Sequence, residues 1–106
     1  MNNQTEKVIL VDAYHCLFTE NGINTELKQL LDSFPNRKIV LTNADDEQMV
    51  TFGIAKSPYK VFTLKHNPNK TDGGYYEKML EHFNLKPENC VYFEHNIDAV
   101  EEARNT

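Results

Sequence analysis

The chain has 106 residues, enough for one domain, and a domain of this size buries roughly two-thirds of its unfolded surface. Lys+Arg 11 against Asp+Glu 16 give a formal charge of −5, which argues against an extended footprint on nucleic acid or on an anionic membrane. No apolar run approaches the ~20 residues of a membrane span, and residues 1–6 lack the charged and apolar parts of a signal peptide, so a cytoplasmic protein is expected. The two cysteines, Cys16 and Cys90, predict no disulfide in a reducing compartment. There is no paired Cys spacing, and His15, His66, His82 and His95 form no HxxxH pattern, so no zinc motif is legible.

Residues 8–11, Val-Ile-Leu-Val, run straight into Asp12. An unbroken apolar run of this length predicts a strand over about 7–13, buried on both faces as in a parallel sheet. Asn21-Gly22 marks a turn. Asn24 or Thr25 then caps a helix whose core face is Leu27, Leu30, Leu31 and Phe34, stopped by Pro35-Asn36. Residues 37–43 form a second apolar run ending in Thr42-Asn43. Asp45 with Gln48 looks like a capping box for a short helix carrying Met49 and Phe52, and Gly53 suits its C-terminal cap.

Residues 61–64 are a third strand and 66–70 a loop. Thr71 or Asp72 caps the next helix, with a core face of Tyr76, Met79, Leu80 and Phe83. Residues 90–93 are a fourth strand ending at Glu94-His95-Asn96, and a last helix starts near Ile97 with Ala99, Val100 and Ala103 inward. The β-α-β-α-β-α-β-α order, with short loops, predicts one α/β domain over 1–106, with a parallel sheet and helices on both faces.

Ligands in open α/β sheets bind beyond the carboxyl ends of the strands. Those ends carry Asp12 and Tyr14, Thr42 and Asn43, Lys70 from the loop before the third helix, and Glu94, His95 and Asp98. An acid, a hydroxyl, an ammonium and further acids on one edge suit phosphoryl transfer. Asp12 attacks, Thr42 and Lys70 neutralise the phosphoryl oxygens, Asn43 orients them, and Asp12, Glu94 and Asp98 hold Mg²⁺.

In these residues the sequence resembles the haloacid dehalogenase-like (HAD) hydrolase superfamily. Residues 11–18, Val-Asp-Ala-Tyr-His-Cys-Leu-Phe, resemble its nucleophile motif, D-x-D-G-T-L or, in dehalogenase-type members, D-x-Y-G-T-L-F. Leu41-Thr42-Asn43 is similar to its strand-two Thr/Ser motif, residues 70–76 to its K-P-x-P-x-x-Y segment, and residues 91–103 to its acidic motif. The resemblance covers about residues 7–104. It implies a three-layer α/β/α Rossmann-like domain with strand order 4-1-2-3, and a Mg²⁺-dependent phosphatase acting on a phosphorylated small molecule or macromolecule.

The departures bear on activity. Tyr14 stands where family phosphatases carry the Asp that protonates the leaving oxygen, a role worth about 10²–10⁴ in rate. A tyrosine phenol ordinarily titrates at about 10, which makes it a poor base at neutral pH. His15-Cys16 replaces the Gly-Thr after the nucleophile strand, and Glu94-His95 replaces Asp-Asp; His95 suits Mg²⁺ badly. Tyr14 is shared with the dehalogenases. Their cap domain has no room here, because 29 residues separate Asp12 from Thr42 and 27 separate Thr42 from Lys70. Family members run on into a fifth strand, whereas this sequence stops at Thr106. The fourth strand is then expected to be an edge, open to pairing with another chain, as in a homodimer or through a swapped element. The expected activity is weak hydrolysis, and the alternative is a non-catalytic HAD-like binding protein.

Overall fold

The structure, a computed structural model, describes residues 7–106. In chain order its strands are β1 (Val8–Asp12), β2 (Phe18–Thr19), β3 (Gly22–Ile23), β4 (Lys38–Thr42), β5 (Lys60–Thr63) and β6 (Cys90–Phe93). Four of them form a parallel sheet in the order β5-β4-β1-β6. Numbered among themselves, these four stand 4-1-2-3. β1 is central and buried along its whole length, as a continuous apolar run requires. Register sets the site: Asp12 pairs with Leu41 and Val11 with Phe93. Asp12, Thr42 and Glu94 therefore leave the sheet at the same carboxyl edge.

The period-two alternation of β1 divides the core. Ile9 and Val11 pack with Val40, Leu31 and Ile54, and Val8 and Leu10 pack with Ile39, Leu41, Tyr75, Tyr76 and Met79. Helix α1 (Thr25–Asp32) and helix α2 (Asp46–Thr51) supply residues to the first cluster. Helix α3 (Tyr75–Phe83) and helix α4 (Ile97–Arg104) supply residues to the second. Among the described residues no helix is long and apolar enough to cross a membrane.

The caps follow the sequence at the first two helices, and the last helix has a cap that the sequence pattern did not predict. The Asn24 side chain accepts the Leu27 amide, Asp45 and Gln48 make the reciprocal capping box, and Asn96 accepts the Asp98 amide. At α3 the structure differs from the Thr71 or Asp72 cap. Gly73 and Gly74 both take positive φ, 85° and 91°, which a right-handed helix cannot use, so α3 begins at Tyr75. The Asn21-Gly22 turn signal proves to close a small antiparallel pair, β2 with β3.

The α1 stripe also needs correction. Leu31 is buried and Leu27 packs at the cluster's margin, but Leu30 is 53% and Phe34 46% exposed. The cause is β6, the last strand on that side. Its Val91 and Phe93 face the same way and are themselves exposed, and no described element covers them. The four residues line a shallow groove of about 210 Å³.

Candidate functional site

A cavity of about 370 Å³ opens at the carboxyl edge of the sheet, and Asp12, Tyr14, Thr42, Asn43, Lys70, Glu94 and His95 all line it. Asp12 is delivered by β1 and is only 5% exposed. Lys70 comes from the loop before α3 and is 4% exposed. Its Nζ donates to Asp12 Oδ1 at 2.6 Å and to Glu94 Oε1 at 2.7 Å. Burying an ammonium is costly unless it is paired, and here two carboxylates pair it.

The other oxygen of Asp12, Oδ2, is hydrogen-bonded to His95 Nδ1. On the far side, the Tyr92 hydroxyl donates to Glu94 Oε1, and the Asn96 amide donates to Oε2. Tyr76 and Tyr92 share a hydroxyl–hydroxyl bond of 2.9 Å. One polar chain thus runs from Tyr76 under the sheet, through Tyr92, Glu94 and Lys70, to Asp12 and His95. Among the described residues no buried side-chain nitrogen or oxygen lacks a partner.

The two acids titrate in opposite directions. Burial raises Asp12 above its ordinary 3.8, and the Lys70 charge only partly offsets this. Burial would raise Glu94 as well. There the Lys70 ion pair, together with hydrogen bonds from Lys70, Tyr92 and the Asn96 amide, wins, and the carboxyl is held below 4.5. Burial and the Glu94 charge push the Tyr92 phenol far above 10, so it stays a neutral donor.

Thr42 lies on the cavity wall, where its Oγ1 accepts the Ala44 amide at 3.1 Å. Asn43 Oδ1 accepts the Lys70 amide at 2.7 Å, so Asn43 holds the lysine loop in place. Tyr14 is stacked on Phe52, with ring centroids 4.3 Å apart. Asp98 is not brought to the group. It sits exposed in the first turn of α4, outside the cavity lining, where the helix dipole favours an acid.

Some contacts and participants are not legible in the sequence. His95 falls at the strand edge and suits the turn before a helix, yet its ring bonds Asp12. Tyr75 falls outside the apolar stripe of α3, yet it is fully buried. Its hydroxyl accepts the Thr42 amide at 3.0 Å and lies 2.9 and 3.0 Å from the carbonyls of Thr42 and Phe62, tying the ends of β4 and β5 together. Residues 13–18 turn tightly, with the Cys16 and Phe18 amides both donating to Ala13 O. The turn puts His15 at φ 72° and returns Cys16 toward Asp12.

Asp12, Cys16 and His95 form a group that could hold a metal: one ligand atom from each lies within 4.8 Å of the others. Burial, then the charges of Asp12 and Glu94, push the Cys16 thiol up to about 11. No family model, no curated protein and no solved structure matches this chain.

Proposed function

We propose that the chain is a small, capless HAD-like hydrolase of three-layer α/β/α architecture that cleaves phosphate monoesters through Asp12. The observation that carries this reading is the convergence at one strand edge of a buried carboxylate, Asp12, with a buried ammonium, Lys70, 2.6 Å away, beside Thr42 in an open cavity. Four sequence segments in the family's order, each meeting this edge, support it further.

In this reading an Asp12 oxygen attacks phosphorus. The O–P bond to the substrate breaks, and water later hydrolyses the aspartyl phosphate. Lys70 uses two of its three N–H donors on Asp12 and Glu94, which leaves the third for a phosphoryl oxygen. With Tyr14 in place of the second acid, leaving groups that depart as stable anions are favoured. The absence of room for a cap suits large phosphorylated substrates.

The resemblance also implies Mg²⁺, and the donors present fit it poorly. Mg²⁺ requires near-octahedral oxygen ligands. Lys70 already bridges Asp12 and Glu94, Asp98 lies outside the cavity, and His95 stands against the remaining Asp12 oxygen.

Hydrolysis of an activated aryl phosphate, beside Asp12→Asn, tests the reading. Turnover lost in the variant supports it. Equal rates in both would leave the binding-protein alternative, which the closed Lys70–Asp12–His95 arrangement favours.

A further inference from the structure

We propose that Asp12, Cys16 and His95 bind a borderline-soft divalent cation of the zinc class, whether or not the cavity turns over phosphoesters. The donor set is one carboxylate oxygen, one sulfur and one imidazole nitrogen, the ligands such an ion selects and Mg²⁺ does not. Tetrahedral bonds of ~2.0–2.3 Å place ligand atoms roughly 3.3–3.8 Å apart. The three atoms here already lie within 4.8 Å of one another.

Each ligand is placed by a different constraint. Asp12 is fixed by the strand, and Lys70 on Oδ1 leaves Oδ2 to His95. Cys16 is held through its backbone: its amide donates to Ala13 O at 3.2 Å, and its carbonyl accepts the Asn24 side chain at 3.3 Å. His95 bonds Asp12 directly, so an ion must part the two groups. The His95 side chain is 44% exposed and has room to move outward.

Charge also balances. Two carboxylates and a thiolate, against the Lys70 ammonium and a dication, sum to zero. Binding releases the thiol proton to solvent. Three protein ligands leave a fourth position for water or a substrate oxygen.

Titration of the full chain with Co²⁺ tests the site, because cobalt reports its ligands by absorption. The expected result is one equivalent bound, with a near-ultraviolet thiolate charge-transfer band and tetrahedral visible bands. Zn²⁺ should displace the cobalt, and a roughly 100-fold excess of Mg²⁺ should not. Cys16→Ser should lose the charge-transfer band, the exposed-site variant His95→Gln should weaken the visible bands, and Cys90→Ser should change neither. No band in the wild-type chain, a band surviving Cys16→Ser, or displacement by Mg²⁺ would overturn the proposal. Hydrolysis is not the readout, so loss of the phosphatase reading leaves this result standing or falling alone.

Discussion

The ammonium of Lys70 lies 2.6 Å from Asp12 Oδ1, with both side chains almost wholly buried, although 57 residues of sequence intervene. This contact joins the strand that carries the acid to the loop before α3. It also leaves the other carboxylate oxygen, Oδ2, to His95.

Removing the cation should be costly. Lys70→Met strands Asp12 and Glu94 as two buried carboxylates, and breaking a buried pair of this kind costs about 3–5 kcal/mol. Denaturant unfolding near neutral pH should show that loss. The deficit should shrink as pH falls, because both orphaned acids can then take up protons. A loss under ~1 kcal/mol would mean that Lys70 is solvated and not paired.

The opposite shifts of the two acids give opposite signs of pH dependence. Asp12 is raised from 3.8, so its charged form is penalised, and the wild type loses that contribution as pH rises from 3.8 through the folded value. Glu94 is lowered from 4.5, so its contribution is full above 4.5 and is lost as pH falls through the folded value. Melting curves between about pH 3 and 7 should therefore show Asp12→Asn gaining on the wild type as pH rises, and Glu94→Gln falling behind it. The same sign for both variants would contradict the assignment.

His15 sits at φ 72° in the turn after β1, where a residue with a Cβ is strained and glycine is not. Because its side chain is exposed, His15→Gly should raise stability by up to about 1 kcal/mol, read as an increase in Tm. A decrease would show that the imidazole makes a contact that outweighs the strain.

Tyr75→Phe should cost about 1–3 kcal/mol, because the Thr42 amide then loses its buried partner. Hydrogen exchange at Thr42 should quicken in the same variant. An unchanged Tm would place water, in place of the hydroxyl, at that amide.

The sheet was legible because its signals are local. The apolar run of β1 and the caps at Asn24 and Asp45 each need only a few neighbouring residues. Leu30 and Phe34 misled because helical periodicity marks an apolar face without telling whether anything lies opposite it. The late start of α3 depended on two glycines adopting positive φ, a backbone state that composition alone does not dictate. Asp12, Thr42, Asn43, Lys70 and Glu94 could be collected because each ends or follows a predicted strand. His95 could be collected in the same way, but its pairing with Asp12 could not, and Cys16 escaped because it reaches the group only through the tight turn after β1, which no repeating interval marks.

Asp12 is proposed as the nucleophile. The most direct measurement is acid-quenched mass spectrometry of the chain during turnover of an aryl phosphate. A phosphoryl group is expected on the peptide carrying Asp12, and it should be absent from Asp12→Asn together with product release. Product formed at the wild-type rate by Asp12→Asn, with no phosphorylated peptide in either chain, would contradict it.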